Sequence, residues 1–170
     1  LRNYVEKGSP LPEKPVVITF DDGYSSNYEL AYPILKEFNF PAAIFAIGVS
    51  MGKDTYKDTG VAMNPHFSVE EAMEMEASGL ITVGSHGYNI HEVEGRDPEP
   101  RRKGVLQKEH ESEEEYLAFL QEDLRAMEEL LGDLDDEFDP LPKTFYSPNE
   151  GFWVIGGGVL TSMIATETPL

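Results

Sequence analysis

Val16-Val17-Ile18-Thr19-Phe20-Asp21-Asp22-Gly23 is the stretch on which the fold turns. Five β-branched or aromatic residues run together without a charge, the pattern of a short strand buried on both faces, as in a parallel sheet. The run stops at Asp21-Asp22-Gly23. A helical period follows over about residues 27–38, with Leu30, Ile34, Leu35 and Phe38 at apolar spacing and Pro33 near its first turns, where proline is tolerated. Beyond Asn39, residues 41–48 (Pro-Ala-Ala-Ile-Phe-Ala-Ile-Gly) read as a second buried strand. Ser68-Val69-Glu70-Glu71 is a capping box opening a helix to about Ser78, with Gly79 as its natural stop. Leu80 to Gly84 is a third strand, ending at Ser85-His86.

Further along, residues 92–111 are charged, carry Gly95, Pro98, Pro100 and Gly104, and read as an exposed loop. Ser112-Glu113-Glu114-Glu115 is a second capping box. Its helix runs to about Leu131 and stops at Gly132, with Leu117, Leu120, Leu124, Met127, Leu130 and Leu131 as one apolar stripe and acids on the other faces. Lys143 to Tyr146 reads as a fourth strand and Val159 to Ala165 as one more. Strand and helix alternate, so the fold class is α/β with a parallel sheet and outer helices. An eight-stranded barrel needs about 250 residues. With four or five strands in 170 residues, a barrel here must be distorted and incomplete, and the chain reads as one domain over 1–170.

Composition narrows the partners. Lys plus Arg number 13 and Asp plus Glu 32, a net charge of −19. So acidic a surface repels nucleic-acid phosphates and anionic lipid, which excludes a nucleic-acid partner. There is no cysteine, hence no disulfide, thiolate metal site or cysteine nucleophile. No apolar run reaches the roughly 18 residues of a membrane span, and Leu1-Arg2-Asn3-Tyr4-Val5 has no apolar leader character.

In parallel α/β folds ligands gather at the carboxyl ends of strands. Asp21-Asp22 follows the first strand, His86 the third and Tyr146-Ser147-Pro148 the fourth, so three strand ends are expected to bring polar groups to one rim. Taken alone, Asp-Asp-Gly reads equally well as an Asp-rich cap on the next helix. A cation would relieve the repulsion between two adjacent carboxylates, and neighbouring strand residues point apart, so one acid can ligate while the other acts as a base. In Ser85-His86-Gly87-Tyr88-Asn89-Ile90-His91 the histidines are five apart, which does not suit one helix face but suits a loop that folds both rings to one point; two unrelated surface histidines is the alternative. Asp22, His86 and His91 together make a two-histidine, one-carboxylate set with open positions, the arrangement of catalytic zinc and also compatible with iron(II). Asp21 is then placed to take a proton from water, and backbone N–H groups near Pro148-Asn149 to stabilise an oxyanion. Tyr24 and Trp153 offer faces for a sugar ring, Trp153 equally a core residue. His66 and His110 sit in polar stretches and read as surface residues.

At these residues the sequence resembles the polysaccharide deacetylases, the NodB-type carbohydrate esterases. Residues 16–24 look like the family's first motif, in which the first Asp is the base and the second binds metal. That maps onto Asp21 and Asp22. Residues 85–91 match the spacing of the second motif, Ser-His-Thr-x-x-x-His, in the branch acting on poly-N-acetylglucosamine. Phe145-Tyr146-Ser147-Pro148-Asn149-Glu150-Gly151 is similar to the third, with Asn149 at the usual Tyr. The resemblance implies an incomplete (β/α) barrel lacking family elements at both ends. It also implies a divalent metal (zinc, or cobalt or nickel) and metal-dependent hydrolysis of N-acetyl groups on N-acetylglucosamine residues of a cell-surface or cell-wall glycan, outside the cell. Its rival is a catalytically impaired metal- and glycan-binding domain. A non-haem iron oxygenase with the same trio would usually sit on an all-β barrel, which the capped helices oppose.

Overall fold

The computed structural model describes residues 7–8, 10–11 and 13–132, and the backbone of residues 145–147, 151–153, 155–156 and 159–160. Three parallel strands form its centre: β1 (Thr19–Asp22), β2 (Ala42–Ala46) and β3 (Ile81–Ser85), in the order β1-β2-β3. Phe20 pairs with Ile44, and Ile44 with Val83, so the three strands end level at Asp22, Ala46 and Ser85. That level end makes the rim on which the site is built. Between the strands run a π-type turn (Asn27–Ala31) leading into helix α1 (Tyr32–Phe38), and helix α2 (Val69–Ala77). Helix α3 (Glu113–Leu131) follows β3 after a long loop. The α/β reading holds, and among the described residues the parallel sheet does not close.

Both capping boxes form: Ser68 accepts from the Glu71 N–H while Glu71 accepts from the Ser68 N–H, and Ser112 and Glu115 do the same. Ile44, Phe67 and Met75 are fully buried, and Leu35, Ala46, Ala72 and Val83 close the core around them. Removing each large side chain from water contributes about 1.5–3 kcal/mol, which is why the sheet packs its α2 face so tightly.

Several expectations are corrected. The first strand starts at Thr19, not Val16, and is not buried on both faces: Val16 is 82% exposed and Thr19 is exposed too, with no described residue covering that side of β1. Along the π-type turn and α1, Tyr32 and Leu35 are buried with Tyr28 and Ala31 partly buried against the core, while Leu30, Ile34 and Phe38 are exposed. This segment is apolar on two faces, and only one can meet the sheet. In α3 the buried positions are Tyr116, Asp123, Met127 and Leu131; Leu117 faces water. The 92–111 segment is the mostly exposed loop expected, fastened at a few points. Arg102, 3% exposed, forks onto the Glu111 carboxylate, donates to the Leu106 carbonyl at 3.0 Å and stacks 3.8 Å over Phe119. Asp97 accepts from Tyr56 and Lys57.

The fourth strand, β4 (Phe145–Ser147), does not extend the parallel sheet. It pairs antiparallel with β5 (Gly151–Trp153), and β6 (Ile155–Gly156) with β7 (Val159–Leu160); of the run expected over 159–165 only the first two residues are described, and they form β7. Among the described residues the main sheet brings two of the expected strand ends to the rim, at Asp22 and at Ser85-His86. Pro148 and Asn149 lie outside the described residues, as does the Trp153 side chain.

Candidate metal centre

The rim is locked by hydrogen bonds that step from strand to strand. The Ile47 N–H donates to the Asp22 carbonyl at 3.1 Å, and the His86 N–H to the Ala46 carbonyl at 2.9 Å. Beyond β3 the chain turns at Gly87, whose φ of +87° is open to glycine, and the loop 86–91 folds back along the end of β2. There the Gly48 N–H donates to the Gly87 carbonyl at 3.1 Å and the Val49 N–H to the Tyr88 carbonyl at 2.9 Å. This return brings both histidines to Asp22. Their ring centroids are 4.4 Å apart, tilted by 33°. His86 Nε2 is 3.4 Å from Asp22 Oδ1, and one donor atom each from Asp22, His86 and His91 lies within 4.8 Å of the others.

Asp22 itself is held at φ 70°, a region few residues other than glycine, Asn and Asp adopt, at the point where β1 turns into Gly23. Such strain persists where the surroundings over-determine it. Here they do: the Gly23 N–H bonds back to the Asp21 carbonyl at 2.9 Å, and the Phe67 N–H donates to the Gly23 carbonyl at 3.1 Å. A Cβ on Gly23 would sit 2.9 Å from the Ala46 Cβ and 3.1 Å from its Cα, at a φ of +82°. Gly23→Ala is therefore expected to destabilise the fold by about 1–3 kcal/mol. Urea unfolding checks this, and an unchanged midpoint would contradict it.

Asp21, one residue earlier, is exposed while Asp22 is half-buried, as alternation along a strand requires. Burial first, then the neighbouring Asp22 carboxylate, push the Tyr24 phenol pKa up. The His91 pKa is pushed down, chiefly by burial and then by the neighbouring His86, which keeps its ring neutral and able to ligate. His91 Nε2 lies 3.1 Å from the His86 carbonyl. A carbonyl only accepts, so this contact puts the proton on Nε2 and the lone pair on Nδ1. Two imidazoles and a carboxylate converging without a Lys or Arg among them are a donor set suited to a divalent cation.

Two residues were misread or missed in the sequence. His66, expected at the surface, is 8% exposed: it bridges antiparallel to Tyr24 and packs its ring 4.8 Å from the Tyr24 ring. Its Nδ1 has no hydrogen-bond partner among the described residues. Burial holds its pKa below the ordinary histidine range. The sign follows: the unfolded chain protonates this ring near pH 6.5 before the folded one does, so stability present above about pH 6.5 is lost as pH falls below it. His66→Phe, which keeps a ring against Tyr24, should lose less stability between pH 7.5 and pH 5.5 than the parent in metal-free urea titrations. Equal losses would contradict this. The second residue is Asp123, read as one of the solvated acids of α3 but buried, accepting from the Tyr88 N–H at 2.8 Å and the Asn89 N–H at 2.6 Å. Burial pushes its pKa up, against the pull of those two bonds and of His91. Its spacing of seven from Tyr116 and four from Met127 placed it on the helix's inner face all along.

A sequence model of the polysaccharide deacetylase family matches residues 8–140. The chain belongs to this family. The poly-β-1,6-N-acetyl-D-glucosamine N-deacetylase of Escherichia coli K12 is 38% identical over 91 residues, covering 49% of this chain and 13% of that protein. Among solved structures, the BpsB deacetylase domain of Bordetella bronchiseptica superposes with a TM-score of 0.64 at 25% identity, over 78% of this chain and 55% of that one. IcaB of Ammonifex degensii gives 0.59 at 30% identity, over 86% and 57%. The chain thus spans little more than half of the structures it resembles and a much smaller part of the E. coli protein. Family membership agrees with the unclosed α/β architecture. No described helix is long and apolar enough to cross a membrane.

Proposed function

We propose that residues 1–170 form a single catalytic domain. It hydrolyses N-acetyl groups from N-acetylglucosamine residues of a cell-surface or cell-wall polysaccharide, outside the cell. Asp22, His86 and His91 hold a divalent cation, zinc by its donor set, with cobalt or nickel as substitutes. The observation that carries the reading is the meeting of these three side chains at one strand end, where a second carboxylate, Asp21, precedes Asp22 in sequence, in a chain of this family. When bound, the cation supplies Lewis-acid polarisation of the acyl oxygen and activation of water. Asp21 takes the proton from the attacking water, which needs a carboxylate in reach of solvent, and its exposure suits that role. Asp22 and the two imidazoles orient the centre, and Tyr24 steadies Asp22 through its hydroxyl. Tyr24 and Trp153 are assigned to the sugar ring, and the backbone near Pro148 and Asn149 to the developing oxyanion. A neutral glycan is also the substrate class least opposed by a net charge of −19.

The test is acetate release from a β-1,6-linked N-acetylglucosamine oligomer by zinc- or cobalt-loaded protein. Release that chelation abolishes supports the reading, and no release from the metal-loaded chain contradicts it. Oligomer binding without release, unchanged by Asp21→Asn, would favour the impaired metal- and glycan-binding domain.

A further inference from the structure

We propose that Asp123 of α3 is a positioning residue for the metal centre, setting the separation of His86 and His91 by clamping the loop between them. The proposal rests on the metal reading of the same site. The loop has two edges. On one, the Gly87 and Tyr88 carbonyls accept from the Gly48 and Val49 N–H groups at the end of β2. On the other, the Tyr88 and Asn89 N–H groups both turn toward α3, and the two oxygens of one carboxylate take one each: Oδ2 from Tyr88 at 2.8 Å and Oδ1 from Asn89 at 2.6 Å. Bonds of N–H to an ionised acceptor are roughly twice as strong as neutral ones, and two on one planar group fix orientation as well as distance.

The carboxylate cannot drift, because the helix carrying it is wedged at the same place. A Cβ on Gly48 would meet Tyr88 Cδ2 at 2.5 Å, Met127 Sδ at 2.7 Å and Leu130 Cδ2 at 3.2 Å, so the Tyr88 ring, α3 and the β2 end are already in contact there. Gly87 is confined in the same way: a Cβ would run into the Ile90 side chain and stop 3.3 Å from Asp123 Oδ2. Asp123 thus sits where α3 meets the ligand loop near the end of β2, with only 8% of its surface exposed. Its chemistry is that of a brace: its negative charge also lies near enough to His91 to favour a cation beside that ring.

Outer partners of metal ligands typically contribute 10–100-fold to metal affinity. The experiment titrates the full chain with Co2+ and with Zn2+ against a chromophoric chelator, and records the visible d–d spectrum of the cobalt form and the far-ultraviolet circular dichroism of the metal-free form. For Asp123→Ala the expected result is affinity lowered at least tenfold for both ions, an altered cobalt spectrum and unchanged helical content. Asp123→Asn keeps the volume and one acceptor oxygen but turns an NH2 toward a backbone N–H, so it should fall between Ala and the parent. If Asp123→Ala does not fold, Asp123→Asn decides. Affinity within threefold of the parent with the same cobalt spectrum overturns the proposal, and so does collapse of both variants, which would make Asp123 a stability residue only. The parent titration separates the two readings: a parent that binds no metal refutes the metal site itself. A parent that binds, beside variants that bind equally well, refutes only the brace.

Discussion

Asp22→Ala is expected to abolish tight metal binding while leaving the fold nearly intact. Its carboxylate is one of three donors within 4.8 Å, so its loss leaves two imidazoles on one loop, which cannot close around a cation. The drop should exceed the 10–100-fold typical of outer partners, since a ligand itself is gone. The fold should survive because the side chain is half-buried at a strand end, outside the cluster of Ile44, Phe67 and Met75. The substitution also leaves Ala at φ 70°, where Asp is better tolerated, which costs about 1 kcal/mol and no more than a few. Equilibrium dialysis against Zn2+ with parallel urea unfolding checks both halves. Stoichiometric metal in Asp22→Ala would refute the ligand assignment.

Asp21→Asn is expected to separate binding from chemistry. An amide keeps the size of the side chain and its exposed place on β1 but cannot accept a proton from water. General-base catalysis contributes about 10²–10⁴-fold, so acetate release should fall by that factor while metal content stays at the parent level. The two substitutions at neighbouring positions thus have opposite signatures: one empties the site, the other silences it. A variant with parent-like release would remove Asp21 from the mechanism. One with normal chemistry per bound metal but little metal would move it into the ligand set.

Much of this was legible in the chain. The uncharged run before Asp21, the two capping boxes and the spacing of His86 and His91 are local signals, and each corresponds to a feature in space. What escaped depends on which surfaces meet. The segment before Phe38 carries two apolar stripes, and no local rule says that the one through Tyr32 and Leu35 packs on the sheet while Leu30, Ile34 and Phe38 stay wet. Val16 and Val17 have the composition of an inner strand but lie beside its outermost one. Asp123 looked like any acid in a helix of acids. Its role exists only because a loop some 34 residues earlier presents two N–H groups to it. His66, read as a surface residue, lies between Pro65 and Phe67 and is buried where its segment bridges to Tyr24. Ionisable residues drawn inside by a distant segment leave only a faint trace in sequence, here the heptad spacing of Asp123 from Tyr116.

The most direct test of the account is an anomalous difference map, recorded at the zinc edge, of crystals of this chain grown with Zn2+. The account predicts one strong peak at about 2.0–2.2 Å from a carboxylate oxygen of Asp22 and from one ring nitrogen each of His86 and His91, with Asp21 outside the coordination sphere. A peak elsewhere, or none at this rim in a zinc-saturated crystal, would contradict it.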